Sequence, residues 1–291
     1  METRWLHITS ENFHKIREAS EGVCVIPMGC IEKHGLHLPL GTDILEASGV
    51  AYAASQIEPF CVFPDFTFGD VGTNAPTRND GILTLTVETE MLLLEELCEQ
   101  ISKNGFKKIL IMNGHGGNNP WLSTFLKRLG NRKRDYVVST FMLELPALKK
   151  MGQFLMDNGP GSIPELTPED EKYLIGCTVN KMRGGHACLG ETAYIMALYP
   201  EDVHLERLGI ESGENTHVAD KFTEVGISVP AGWDFNYPNA YTGDDPVGCT
   251  ETIGKAQLRI EAERFARAVK VYKEDTLLLE DNEKRNKNWS W

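Results

Sequence analysis

A short stretch near the N-terminus, IEKHGLHLPLGTD, concentrates side chains that can bind metal ions. It places Glu32, His34, His37 and Asp43 within twelve residues. Carboxylate oxygens and imidazole nitrogens are ligands that zinc and manganese accept. A solvated polar loop is the alternative interpretation, because short patterns of this kind often occur by chance. The rest of the chain must therefore decide between a metal site and a plain loop.

A second candidate, His115, lies in the glycine-rich sequence NGHGGN at positions 113–118. It follows an apolar run that predicts a buried strand, and Pro120 then suits the first position of a helix. The glycines leave room for a ligand to approach the backbone. The sequence is neither G-x-G-x-x-G nor a Walker A motif, although a phosphate-binding turn is an alternative. A metal or substrate loop is favoured over a nucleotide loop.

A third candidate is the sequence GGHACLGET at positions 184–192, in which His186 and Glu191 are five residues apart. The pair is consistent with a functional role in a glycine-rich turn. It is equally consistent with a turn followed by a Glu that stabilises the positive end of a helix dipole. Taken alone, this sequence leaves both interpretations open.

Strands and helices alternate through the first half of the chain, which predicts a parallel sheet with helices on both faces. Ligands of such sheets bind beyond the carboxyl ends of the strands. Glu32 and His34 follow one predicted strand and His115 follows another, so the same sheet edge receives metal-binding side chains from two strands. The predicted strands are 22–28, 60–63, 108–112 and 136–143, with a short one at 82–87. The predicted helices are 11–18, 88–104, 120–129, 191–198 and 250–272, and one more begins at Thr42 or Asp43.

Three segments do not fit this alternation. Residues 64–81 are rich in Gly, Pro, Asn and Asp and predict a long loop. Residues 144–182 have weak periodicity, and we expect a partly helical excursion that covers a cleft. The polar end, EDNEKRNKNWSW, is expected to fray or to anchor its two Trp on a neighbouring subunit. The sequence contains no internal repeat and no linker, so we expect one domain over residues 1–291.

The overall composition limits the classes of partner. It is 41% hydrophobic, as in globular proteins, and its formal net charge of −13 argues against a nucleic-acid-binding face. No window approaches the roughly 18 apolar residues of a transmembrane helix, and no signal peptide is visible. The seven cysteines are scattered without a C-x-x-C pair, which favours a reduced compartment. We expect a cytoplasmic protein that binds neither nucleic acid nor membranes.

Taken together, the three motifs resemble the signature blocks of the creatininase family, the creatinine amidohydrolase-like proteins. The sequence GDDPVGCTETIGKA at 243–256 also resembles that family's block before its last helix. The blocks occur in the family's order and span residues 23 to 272. Three blocks together are specific, whereas any one of them alone is weak.

The resemblance implies a three-layer αβα sandwich with a mostly parallel sheet, and a dinuclear site of zinc, manganese or iron. It further implies a ring-like homo-oligomer, often a hexamer. Matched residue by residue, it implies that Asp43 bridges two ions and that His186 is a catalytic histidine, while Glu191 matches the Glu of the family's His-Ala block. The implied metal ligands are Glu32, His34, Asp43 and His115.

Two departures from the family pattern bear on function. Creatininases have a second-metal Glu two residues after the histidine of the NGH block, where this chain has Gly117. We hypothesise that Glu191 supplies that carboxylate. The loop of residues 69–81 also differs from the family sequence, and that loop is expected to face the substrate, so creatinine itself is a doubtful substrate.

The leading hypothesis is hydrolysis of a small polar cyclic amide or formamide by metal-activated water. His186 would donate a proton to the leaving group, and His37 would orient a ligand or serve as a structural histidine. Hydrolytic ring opening of a cyclic keto-polyol such as 3-dehydro-scyllo-inosose, a C–C cleavage, is an alternative. A metal-binding subunit without turnover is the alternative from another class. The residues expected to bind substrate, or else to form a plain surface loop, are Trp233, Asp234, Asn236 and Tyr237.

Overall fold

The computed structural model describes residues 1–72, 80–182, 184–242 and 246–288. Its centre is a sheet of four parallel strands in the order β2-β1-β3-β4. Strands β1 and β3 pair residue by residue, from Val23 with Lys108 to Met28 with Asn113. The strands are β1 (Val23–Met28), β2 (Cys61–Val62), β3 (Lys108–Asn113) and β4 (Val137–Met142).

The helices lie on both faces of this sheet. The α-helices are α1 (Phe13–Ala19), α2 (Thr42–Ser55), α3 (Val87–Lys103), α4 (Asn119–Gly130), α5 (Gly152–Asn158), α6 (Pro168–Val179), α7 (Leu189–Leu198), α8 (Asp220–Thr223), α9 (Gly232–Asn236), α10 (Glu251–Glu274) and α11 (Leu277–Lys287). A π-helical turn covers Ala147–Met151, and 3-10 turns cover Trp5–His7, Ser10–Asn12, Gly116–Asn118, Pro200–Asp202 and Leu205–Arg207.

Two hydrophobic cores explain why the central strands are apolar throughout. Strands β1 and β3 are buried at all six positions. On one face Ile26 packs in a cluster with Leu94 of α3 and Phe125 of α4. On the other face Val25 packs in a cluster with Phe265 of α10. Burial on both faces is typical of parallel sheets, and the expected three-layer αβα architecture with a parallel sheet is confirmed.

The predicted segment 82–87 is not a strand. Leu83 makes only an isolated antiparallel bridge to Ile31. Helix α3 already begins at Val87, because the side chain of Thr86 accepts a hydrogen bond from the backbone N–H of Thr89 and caps the helix. The remaining predicted strands of the sheet occur within one or two residues of their expected positions.

The polar C-terminal segment is helical rather than frayed over its described part, which ends at residue 288. Helix α11 covers Leu277–Lys287, and the side-chain amide of Asn282 donates to the Arg134 carbonyl at 2.8 Å. Short-range polarity therefore gave the wrong expectation, since a contact distant in sequence orders this segment. Trp289 and Trp291, expected to anchor on another subunit, lie outside the described residues.

The excursion at 144–182 is partly helical, as expected. Leu155 of α5 and Leu174 of α6 pack with Ile253 of α10 in a third hydrophobic cluster.

All seven cysteines are buried free thiols. Among the described helices, none combines the length and apolar composition that crossing a membrane requires.

Asp170 joins the start of α6 to the start of α10. Its carboxylate forms a capping box with Thr167, the residue that caps α6. The hydroxyls of Thr250 and Thr252 each donate to the same carboxylate at 2.7 Å. Because Thr250 caps α10, one buried carboxylate organises two helix N-termini.

We expect Asp170→Ala to lower the free energy of unfolding by about 2–3 kcal/mol, because a lost cap typically costs ~1 kcal/mol and here two are disturbed. Urea denaturation measures the change. The matched control is Glu169→Ala at the exposed preceding position, which should stay within about 0.5 kcal/mol of the parent protein. Equal losses in the two variants would contradict this role for Asp170.

Candidate metal centre and active-site cleft

The six residues expected at the site lie together beyond the carboxyl ends of β1 and β3. The loop after β1 carries Glu32 and His34, the first turn of α2 carries Asp43, and the loop after β3 carries His115. The remaining two, His186 and Glu191, come from the loop before α7 and from its first turn. The structure thus brings together residues that are up to 159 positions apart in the chain.

Two glycines allow Asp43 to reach this edge of the sheet. A Cβ atom at Gly29 would lie 2.4 Å from the backbone nitrogen of Ile44, and one at Gly114 would lie 2.5 Å from the backbone oxygen of Asp43. Any side chain at either position would push α2 away. The first turn of α2 therefore sits directly against the ends of β1 and β3.

The ring of His115 points one nitrogen at two carboxylates. Its Nε2 lies 2.9 Å from the Asp70 carbonyl oxygen. A carbonyl only accepts hydrogen bonds, so Nε2 carries the proton. Its Nδ1 lies 3.0 Å from Glu32 Oε1 and 2.9 Å from Asp43 Oδ2. A histidine that donates one N–H to a carbonyl while the other nitrogen faces carboxylates has the arrangement of a metal ligand.

His34 repeats the arrangement on the other side of Asp43. Its Nδ1 lies 3.2 Å from the Glu32 carbonyl oxygen, and its Nε2 lies 3.2 Å from Asp43 Oδ1. Glu191 Oε2 is 3.8 Å from the same Nε2. The two carboxylate oxygens of Asp43 therefore face different histidines.

The nitrogen, oxygen and sulfur atoms that could bind a metal form overlapping groups, and within each group all of these atoms lie within 4.8 Å of one another. Asp43 belongs to two of these groups, the position expected of a residue between two ions. The groups in the described part of the chain are Cys30 with Glu32, Asp43 and His115; Glu32 with His34 and His186; and His34 with Asp43 and Glu191.

His186 lies beside this cluster. Its Nε2 donates to the Lys33 carbonyl oxygen at 2.6 Å, which leaves Nδ1 at 3.7 Å from Glu32 Oε1. Its ring stacks on His34 with centroids 4.0 Å apart and meets the edge of Trp233 at 5.4 Å. The ring is thus fixed, with Nδ1 available for a proton or a ligand.

Burial and mutual charge shift the pKa values of these groups. Although burial alone would lower the pKa of His34, Asp43 raises it to about 9. At His115, burial likewise lowers the pKa, whereas the carboxylates of Asp43 and Glu32 raise it. The carboxylates have the larger effect, so the pKa of His115 is raised well above the usual range. Burial raises the pKa of Glu191, despite the opposing effect of His34 and His186. A buried cluster of this kind requires positive charge from protons or from cations.

Two residues of the site, one in the cluster and one in the cleft above it, were missed by sequence reasoning. The thiol of Cys30 donates to Asp43 Oδ2 at 2.9 Å. Glu46 is buried and lines the same cleft. A signal existed for Glu46, because it lies three residues after Asp43 and therefore on the same face of α2. Cys30 offered only its position next to the first motif.

Several expected residues lie apart from the cluster. His37 Nε2 donates to the Ala187 carbonyl oxygen at 2.9 Å, so it fixes the backbone beside His186, as a structural histidine does. Asn236 donates to Asp220 at 2.8 Å. Of the four residues at 233–237 that were expected to bind substrate, Trp233 and Asp234 line the cleft, whereas Asn236 and Tyr237 do not.

The cluster forms the floor of a cleft with a volume of about 910 Å³. From the excursion, Glu144, Leu145 and Lys149 line it, and Arg264 of α10 reaches it from the side. Asp70 lines it from the loop of residues 69–81, of which positions 73–79 lie outside the described residues. The site is thus open enough to admit a small organic molecule.

The residues fit a metal centre on their own chemistry. Glu32 Oε1 is buried without a hydrogen-bond partner among the described residues, although His115 Nδ1 is 3.0 Å away. Buried carboxylates are normally paired or bound to metal. Imidazole and carboxylate ligands suit zinc and manganese alike.

Comparison with known proteins agrees with the fold and the motifs. Residues 7–269 match the family model described as Creatininase: Creatinine amidohydrolase. Because the match covers most of the chain, this protein belongs to the creatininase family. It is 22% identical to the creatinine amidohydrolase of Pseudomonas putida over 193 residues, which are 65% of this chain and 69% of that protein.

A second relative has a different name. The chain is 32% identical over 117 residues to the mycofactocin precursor peptide peptidase of Mycolicibacterium smegmatis. This alignment covers 38% of this chain and 46% of the peptidase, so less than half of that protein is matched.

Solved structures show the same fold. A structure of creatinine amidohydrolase (creatininase) matches with a TM-score of 0.65 and 19% identity, over 94% of this chain and 99% of that chain. A creatininase described as the Mn form has a TM-score of 0.66 and 18% identity, over 94% of this chain and 100% of that chain. At such identities the similarity establishes the architecture alone.

In chelator-treated protein we expect stability to fall as the pH rises from about 6.5 to about 9. The raised pKa of His34, about 9, means that its stabilising contribution is fully present below the unfolded-state pKa of about 6.5 and is lost as pH rises through the folded-state value. The loss should amount to a few kcal/mol, since one pKa unit corresponds to about 1.4 kcal/mol. Urea unfolding at a series of pH values measures it.

The control for this pH dependence is His34→Gln, which removes one of the two titrating histidines and should reduce the slope in that window, while His115, whose pKa is also raised, keeps its own contribution. A slope of the same size in the parent protein and in the variant would assign the effect to other groups.

Proposed function

We propose that this protein is a dinuclear metal-dependent hydrolase that cleaves the C–N bond of a small polar cyclic amide or formamide. Glu32, Asp43 and His115 would hold one cation, and His34, Asp43 and Glu191 the other. The single observation that carries the proposal is that the two oxygens of Asp43 face two different imidazole nitrogens, 3.2 Å and 2.9 Å away. Each of these imidazoles is oriented by a backbone carbonyl.

When bound, a pair of divalent cations lowers the pKa of water and polarises a carbonyl. The chain's own residues do the remainder. His186 is fixed by its hydrogen bond to the Lys33 carbonyl, so its Nδ1 faces the cleft beside Glu32. While Nε2 carries the proton of that hydrogen bond, Nδ1 of the neutral ring can accept the proton that the attacking water releases, and it can then pass that proton to the leaving nitrogen. Trp233 and Asp234 line the cleft and would hold the substrate against His186.

The choice of an amide rests on two supports. The relatives named above are an amidohydrolase and a peptidase, and both names denote cleavage of an amide C–N bond. A small substrate suits a cleft of about 910 Å³ with both apolar and charged walls. Homo-oligomerisation and a cytoplasmic location stay predictions.

We expect Glu191→Ala to reduce the metal content from about two ions per chain to about one, because Glu191 is one of three groups around the second position. Elemental analysis after dialysis measures the content. Glu191→Gln is the informative companion variant, since its amide oxygen can still accept the hydrogen bond that the Ala187 N–H donates. Two ions retained in Glu191→Ala would refute the role of Glu191 as a ligand.

We expect the metal-loaded protein to hydrolyse members of a panel of creatinine, small formamides and cyclic amides, and to lose that activity on chelation. His186→Gln should lower kcat by about 10²–10⁴-fold while it keeps both ions. Keto-inositols belong in the same panel, because ring opening of a keto-polyol also begins with attack on a carbonyl. Turnover of keto-inositols alone would replace the amide assignment, and loss of metal in His186→Gln would make His186 a ligand.

A further inference from the structure

Glu46 is a buried carboxylate whose position the proposed function does not yet use. It lies on α2, one turn after Asp43, and only 1% of its surface is exposed. It lines the same cleft as Asp43, His115 and Glu191. Its Oε2 atom is buried and has no hydrogen-bond partner in the described part of the chain. A buried acceptor without a partner is unfavourable, so a group absent from the chain itself is expected there.

Other carboxylates lie close to Glu46. Burial raises its pKa, the carboxylates of Glu191, Asp43 and Glu261 raise it further, and His115 opposes them. His115 already faces Glu32 and Asp43, and the guanidinium of Arg264, which also lines the cleft, donates to Glu261 at 2.8 Å and 2.6 Å. A carboxylate placed among carboxylates is stabilised by a proton or by a cation close to it.

Glu46 is nevertheless outside the compact groups of ligand atoms. The groups whose atoms lie within 4.8 Å of one another include Asp43 and Glu191 but not Glu46. Its carboxylate thus lines the cleft of the ligand groups without belonging to one of them. Gly117 also lines the cleft and has no side chain to compete with Glu46, and a Cβ atom there would lie 2.4 Å from His115 Nε2.

We propose that Glu46 accepts a hydrogen bond from a water molecule on the cation that His34, Asp43 and Glu191 hold, and so positions that water in the cleft. This inference rests on the proposed function, since it requires the second cation. It makes Glu46 a positioning residue, and it accounts for a buried acceptor that no residue of the described chain satisfies.

The test is a titration of the chelator-treated protein with Mn²⁺ by isothermal calorimetry, together with thermal unfolding without metal. For Glu46→Gln we expect two ions per chain at saturation and a Kd of the weaker site raised about 10-fold, because the amide oxygen is uncharged and accepts the hydrogen bond of the water more weakly than a carboxylate does. Without metal, the variant should melt at the parental temperature or above it, because an unpaired buried acid has been neutralised. A purely structural role would lower that temperature.

Glu46→Leu is the second variant, and it cannot accept any hydrogen bond, so its Kd for the weaker site should rise at least as far. The matched control is Glu90→Gln, since Glu90 is also buried with unpartnered oxygens among the described residues but does not line the cleft, and only its charge acts on Asp70 and His115. The control should bind both ions with parental affinity.

Three results overturn the inference. These are a Kd within twofold of the parent in both Glu46 variants, an equal rise in the Glu90 control, or only one ion bound at saturation, which would make Glu46 a direct ligand. A parent protein that binds no Mn²⁺ at all would instead refute the proposed function.

Discussion

The carboxylate of Asp43 lies between two imidazoles, and the rest of the site depends on this placement. One oxygen faces His34 and the other faces His115, so a single residue links the loop after β1 to the loop after β3. The arrangement is electrostatically unstable by itself, because several carboxylates are buried around it. Positive charge shared through Asp43 is what makes such a cluster compatible with a folded protein.

The fold supplies this placement through close packing at one edge of the sheet. Strands β1 and β3 are adjacent and parallel, so their following loops leave the sheet side by side. Gly29 and Gly114 let the first turn of α2 approach both strand ends. The same helix turn then brings Glu46 into the cleft. The two proposed ligand sets need four parts of the chain to meet: the loop after β1, the first turn of α2, the loop after β3 and the first turn of α7.

Local sequence predicted the regular elements well where apolar periodicity was strong. The buried runs of β1 and β3 and the amphipathic face of α3 were identified within one or two residues. It failed in two places for different reasons. The cap that Thr86 provides to the backbone N–H of Thr89 starts α3 at Val87, and this local signal was missed in favour of a strand at 82–87. Helix α11 is held by a hydrogen bond from Asn282 to the Arg134 carbonyl, a partner that no short sequence window contains.

For the site, the sequence by itself determined the types of ligand, the strand ends that carry them and the family they resemble. Side-chain chemistry and local spacing are properties of the sequence, so they can be read directly. Only the tertiary structure decided which oxygen of Asp43 faces which imidazole, that His37 instead binds the Ala187 carbonyl, that Cys30 joins the cluster and that Glu46 lines its cleft. Those facts depend on the packing of α2 and α7 against the sheet edge, because distances between residues far apart in the chain are set by the fold.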